Sequence, residues 1–209
     1  MTLKENALID EGFNEDATGR ILLIACGALA REILAVRDAN GWTHMELKCL
    51  PAILHHKPKD ITAAVVQAVE KHSADYEKIF VVYADCGTGG LLEVACEQLG
   101  VEMIAGPHCY SFFEGNDAFE ARDEITAFYL TDFLVRQFDA FVTKPLGLDR
   151  HPQLRDMYFE HYEKVVYQAQ TMDAKLQAKA KDCAAFLKLP YEFRYTGYGD
   201  LETVLKEQA

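Results

Sequence analysis

Apolar and polar positions alternate along the chain in blocks of two kinds. The run RILLIACG is short, unbroken and apolar, and it ends at Gly27, as a strand covered on both faces does. ALAREILAVRDANG follows with helical spacing at Leu29, Ile33, Leu34 and Arg37, and Asn40-Gly41 supplies a helix stop. MELKCLPAIL reads as a second strand, interrupted by Pro51 and leading into HHKPKD. Ile61, Val65, Val66 and Val69 then form the apolar face of a helix over ITAAVVQAVEKHSAD, with Lys59-Asp60 as its polar start. EKIFVVYADCGTGG is a strand followed by a turn, LLEVACEQLG a helix stopping at Gly100, and VEMIAGPHC a fourth strand. The order βαβαβαβ predicts an α/β fold: a Rossmann-like parallel sheet of at least four strands flanked by helices.

Beyond Cys109 the spacing turns helical. Ile125, Phe128, Tyr129 and Phe133 fall on one stripe of DEITAFYLTDFLVRQFDAFV, and the stretch from His151 to Leu189 reads as one long helix closed by Pro190. The end, YEFRYTGYGDLETVLKEQA, reads as a strand and a short helix. The C-terminal portion is therefore expected to be mainly helical, with a hinge between Lys144-Pro145 and Pro152. Residues 1–19 are polar and punctuated and read as a flexible extension, leaving 20–209 as a single α/β domain with its chemistry at the carboxyl ends of the strands. There is no internal repeat or low-complexity tract.

Composition narrows the class. A chain of 209 residues that is half apolar can bury a full core. A net charge of −12, without a local basic patch, opposes binding to nucleic acid or anionic lipid. With no signal-like start and no apolar run long enough to span a bilayer, the expected location is cytoplasmic. Six cysteines in such a setting are expected as reduced thiols or metal ligands, not disulfides.

The candidate chemistry lies at the strand ends. An open parallel sheet binds its ligands at the carboxyl ends of its strands. The four predicted strands end in ACG with Cys26, in LHHKP with His55 and His56, in ADCG with Cys86, and in GPHC with His108 and Cys109. Three thiolates and an imidazole converging on one point are what zinc takes in tetrahedral coordination. Gly27 and Gly87, each directly after a cysteine, would let the backbone turn tightly beside a bound ion.

A cysteine is more often a small core residue than a ligand. That reading is assigned to Cys49, Cys96 and Cys183, which do not end a strand. His44, His72 and His151 sit in polar or helix-end contexts and are expected to be solvated. CGTGG has a phosphate-cradling look but lacks the spacing of the nucleotide-binding glycine motifs. Asp85 is a candidate to orient a histidine ligand, although an exposed loop aspartate is the ordinary case. His161 shares a predicted helical face with Tyr158 and Tyr162 and is a lesser candidate for the site.

The segments ACGALAREI, LHHKP, YADCG and GPHCY, with YFEHY and LPYEF later, resemble those of a large family of archaeal and bacterial domain-of-unknown-function proteins. Members of that family are often encoded near corrinoid-dependent methyltransferases, including those of methylamine use and split methionine synthases. The likeness runs from about Ile21 onward. It implies cobalamin-linked one-carbon metabolism, with a corrinoid protein or corrinoid methyltransferase and a small-molecule substrate as partners. His55 fits the Leu-His-x-x-Pro pattern of the resemblance better than His56 and is taken as the fourth ligand. The resulting expectation is a zinc-binding enzyme or accessory protein of corrinoid methyl transfer. Its ligands would be Cys26, His55, Cys86 and Cys109, with His108, Asp85 and His161 as candidate catalytic groups. The alternatives are an iron–sulfur redox partner for corrinoid reactivation and a non-catalytic binding module with a structural metal.

Overall fold

A computed structural model describes residues 5–15 and 20–209. The chain divides into two compact units, Met1–Phe112 with Asp200–Ala209, and Phe113–Gly199, where a single domain was expected from the sequence. Each unit has its own sheet, and the α/β class holds in both.

The first unit opens with α1 (Glu5–Asp10) and β1 (Phe13–Asn14). These lie within the stretch expected to be a flexible extension, the remainder of which falls outside the described residues. Leu8 and Ile9 are buried, β1 pairs antiparallel with a neighbouring strand, and Glu15 forms an ion pair with Arg37 and accepts the Leu47 N–H at 3.0 Å. Local polarity concealed a segment whose structure comes from these non-local contacts.

The sheet proper follows the predicted alternation: β2 (Ile21–Cys26), α2 (Ala30–Asn40), β3 (Met45–Leu50), α3 (Pro58–His72), β4 (Lys78–Val82), α4 (Leu91–Leu99) and β5 (Glu102–Met103). The order is β1-β3-β2-β4-β5, with β2 through β5 parallel. β2 is the central strand, and Leu23, Ile24 and Ala25 are fully buried, as an unbroken apolar run covered on both faces requires. From β2 the chain passes to β3 on one side, and from β3 it crosses to β4 on the other. The carboxyl ends of β2 and β4 therefore form the topological switch point, the place where an open parallel sheet leaves a crevice.

After the short α5 (Ser111–Glu114), the second unit contains α6 (Asn116–Arg122), β6 (Ala127–Leu130), α7 (Asp132–Arg136), α8 (Leu154–Phe159), β7 (Lys164–Ala169), α9 (Ala174–Leu187) and β8 (Tyr191–Tyr195). β6, β7 and β8 form a three-stranded parallel sheet in sequential order, and α10 (Gly199–Gln208) closes the chain. The sequence reading placed β6 and β7 inside helical stretches. Residues 144–152, expected as a hinge, form turns within this unit. Val165, Tyr167 and Ala169 pack with Leu130, Val135, Ala180 and Leu187 into its core. At the carboxyl end of β6, the buried Asp132 carboxylate accepts from the Tyr167 hydroxyl and the Thr171 hydroxyl, each at 2.6 Å, and from the Gln170 N–H at 3.1 Å.

Candidate metal centre

Cys26 is the last residue of β2 and is buried. His55 stands in the single 3-10 turn Ala52–His56 that follows β3 after Pro51 has ended the strand. Beyond β4 the backbone continues alongside the segment after β5: Asp85 N–H donates to Gly106 O and Cys86 N–H to Pro107 O, both at 3.0 Å. This extension of strand pairing brings Cys86 next to Cys109, with their Sγ atoms 3.2 Å apart. His55 is among the groups that lower the Cys86 thiol, and Cys26 lies within electrostatic range of both Cys86 and Cys109. The residues expected as ligands thus come from the ends of four adjacent parallel strands, two of them flanking the switch point.

The electrostatics divide the thiols. A hydrogen bond from Cys109 outweighs burial and, with help from His55, brings the Cys86 thiol down to about 5. The same contact raises the Cys109 thiol well above its ordinary value, and burial acts in the same direction. Burial pushes Cys26 up to about 12. The two thiols are in direct contact and titrate as a coupled pair.

Cys86 has φ of +48°, a left-handed conformation that a residue with a side chain adopts at a cost. The turn after it is held by Asp85, whose carboxylate accepts the N–H groups of Gly87 at 3.1 Å, Gly89 at 3.3 Å and Gly90 at 2.7 Å, and the Thr88 hydroxyl at 2.8 Å. Those amides are the ones a phosphate would need, so the CGTGG turn is filled by the chain's own carboxylate. Asp85 binds this loop, and its bonded partners include no histidine.

The remaining candidates separate. His108 is half-buried, stacks on the Tyr110 ring with centroids 4.9 Å apart, and lies in electrostatic range of Cys86, His55 and Asp85. His161 belongs to the second unit, where its side chain is 91% exposed and 3.3 Å from the Glu160 carboxylate. It follows α8 in a turn, outside the helical face on which it was placed. Gly27 has a different purpose from the one expected: a Cβ there would stand 2.5 Å from the Leu8 carbonyl oxygen, so its absence admits α1. Cys49, Cys96 and Cys183 are buried. His72 is partly buried, contrary to the solvated position expected.

Sequence reasoning missed Tyr83. Its ring is buried directly beyond β4, its hydroxyl has no conventional partner, and it faces the Cys26 sulfur. An aromatic residue three positions before a cysteine is ordinary core in a sequence, and only the fold reveals where its polar tip points.

The donor types are those of a zinc site, whereas the spacing is that of two sulfurs in direct contact. Among the described residues, no group of three or more His, Cys, Asp and Glu side chains is arranged as metal ligands are. Two thiolates on one tetrahedral zinc, with Zn–S of roughly 2.3 Å, stand about 3.8 Å apart. Cys86 and Cys109 would have to separate by about half an ångström to share an ion. The structure thus defines a two-unit α/β protein with a cysteine-rich cluster at the switch point of its first sheet. The chain belongs to the family described as "Protein of unknown function (DUF1638)", which matches residues 49–205. Cys26 lies outside the matched residues, while His55, Cys86 and Cys109 lie within them. No curated protein and no solved structure matches the chain. No helix among the described residues is long and apolar enough to cross a membrane.

Proposed function

We propose that the first unit binds zinc through Cys26, His55, Cys86 and Cys109 and serves corrinoid-linked methyl transfer, as an enzyme or as an accessory to one. The observation that carries this reading is the Cys86–Cys109 sulfur contact beside the switch point, with His55 and Cys26 within electrostatic range of Cys86. The methyl-transfer setting rests on the family resemblance and on the chemistry of the donor set. Bound zinc would supply Lewis acidity that lowers the pKa of an acceptor thiol without redox change, provided one of the four ligand positions exchanges for that thiol.

The chain's own residues would prepare that site. The contact with Cys109 lowers the Cys86 thiol, which favours the charged form a metal ligand takes. The Asp85-pinned turn fixes the Cys86 backbone, and His108, beside the cluster but outside the proposed ligand set, is placed to position a substrate. The partner on this reading is a corrinoid protein or corrinoid methyltransferase, with a small thiol as the acceptor.

The test is metal analysis of anaerobically purified protein and of its variants. Wild type is expected to carry stoichiometric zinc, lost in Cys86→Ser and Cys109→Ser because a neutral hydroxyl is a poor zinc ligand. His55→Ala should weaken retention, and His108→Ala should spare it. Wild type without stoichiometric metal overturns the reading, and a brown protein carrying iron and sulfide replaces it with an iron–sulfur centre.

A further inference from the structure

The sulfur contact points beyond metal binding. At 3.2 Å, the Cys86 and Cys109 sulfurs are closer than two ligands of one tetrahedral zinc and farther than a covalent disulfide of about 2.05 Å. The Cys86 N–H to Pro107 O bond holds the two chain segments side by side. Both thiols are free in the structure. Cys109 is partly exposed as a residue.

We propose that Cys86 and Cys109 form a redox-active dithiol that closes to a disulfide whenever the site holds no metal. The oxidant is hydrogen peroxide. One thiolate attacks the peroxide oxygen, the O–O bond breaks, and a sulfenic acid forms with release of water after protonation. The other thiol then displaces the sulfenic hydroxyl as a second water, forming the S–S bond. Two electrons leave the sulfur pair and reduce one peroxide to two waters. Cys26 stays outside this step, because the sulfur in direct contact with Cys86 is that of Cys109. Zinc and the disulfide require the same two sulfurs, so occupancy by one excludes the other. This inference rests on the sulfur geometry and not on the zinc reading.

The full chain is stripped of metal with a chelator under reductant, desalted without oxygen, and given one equivalent of hydrogen peroxide. Remaining thiols are alkylated, and the protein is digested for peptide mass analysis. The expected result is a peptide linking Cys86 to Cys109, lighter by two hydrogen atoms, with the other four of the six cysteines alkylated. Alkylation of both residues, or a link from either to Cys26 or Cys49, overturns the proposal. A parallel sample carries one equivalent of zinc. Suppression of the link there supports both readings, whereas an unaltered yield supports the dithiol and counts against zinc at this pair.

Discussion

The Asp85 carboxylate accepts the Gly90 N–H at 2.7 Å, and in doing so it closes the turn on which Cys86 stands. The Gly90 N–H is the largest of the influences holding this carboxyl below its ordinary range, ahead of Thr88, Gly89 and Gly87. Four donors thus converge on one partly exposed side chain. Cys86, left-handed at φ +48°, directly precedes the amides this carboxylate gathers.

Asp85→Ala should therefore cost stability and loosen the cysteine pair together. A hydrogen bond to a charged group contributes about 1.5–3 kcal/mol, and the partial exposure of Asp85 brings each of its four bonds to the low end or below it. Asp85→Asn, which keeps one acceptor oxygen, should lose less. Urea unfolding reads the stability, and the yield of the Cys86–Cys109 link in metal-free protein reads the geometry. An unchanged urea midpoint and an unchanged link in Asp85→Ala would show that the turn holds itself.

Gly27→Ala tests why glycine follows Cys26. The added Cβ would meet the Leu8 carbonyl oxygen at 2.5 Å and the Leu50 carbonyl oxygen at 3.1 Å, both backbone atoms that cannot rotate away. Displacing α1 from the end of β2 should cost about 1–3 kcal/mol, the range for overpacking a filled site. Thermal unfolding should show a lowered midpoint for Gly27→Ala. A midpoint equal to wild type would mean that α1 is only loosely seated.

The sheet of the first unit and its cysteine ends are legible in the sequence, because ILLIAC, MELKCL and KIFVV are apolar runs whose burial is uniform and whose ends are marked by Gly27, Pro51 and Gly87. β7 is not legible in the same way. Lys164–Ala169 is almost wholly buried, so it shows no period of two, and it is flanked by Glu-, Lys-, Gln- and Ala-rich segments whose helical preference dominates a local reading. β6 has only four residues, too few to establish a period. β1 takes its conformation from pairing with β3, 35 residues or so away in sequence, which no window of local pattern contains. The same limit applies to the site: residue types at strand ends could be read, but Asp85 satisfied by its own loop and Tyr83 aimed at Cys26 are consequences of folding.

Acid should weaken the second unit through Glu124. Burial would raise this carboxyl, but hydrogen bonds from Lys164, Tyr129 and Arg194 bring it down to about 2 from an ordinary value of 4.5. A folded-state value below the unfolded one contributes stability that is complete above the unfolded pKa and lost as pH falls through the folded pKa. The window is therefore from about 4.5 down to about 2. Glu124→Gln should be less stable than wild type at neutral pH, and the gap should narrow as the pH drops through that window. The partly solvated setting keeps the gap modest. Urea midpoints of both proteins across the window check it, and a gap that stays constant would mean that the Lys164 and Arg194 contacts are not charge-dependent.

Tyr83→Phe should act with opposite signs in the two states of the cysteine cluster. The Tyr83 hydroxyl is buried without a conventional partner, and burying a hydroxyl without a good hydrogen bond costs roughly 1–3 kcal/mol. In metal-free protein the Cys26 thiol is protonated, its value pushed up by burial, and it is a poor acceptor. Removing the hydroxyl there should leave stability unchanged or raised, unlike an ordinary Tyr→Phe change, which loses about 1 kcal/mol. In metal-loaded protein Cys26 would be a thiolate, and the hydroxyl that faces it becomes a donor to a charged sulfur. The same replacement should then weaken zinc retention. Urea unfolding of chelator-treated protein gives the first sign, and competition for zinc against a chromophoric chelator gives the second. Clear destabilisation of the metal-free variant would show that the hydroxyl already has a partner of its own in the thiol form.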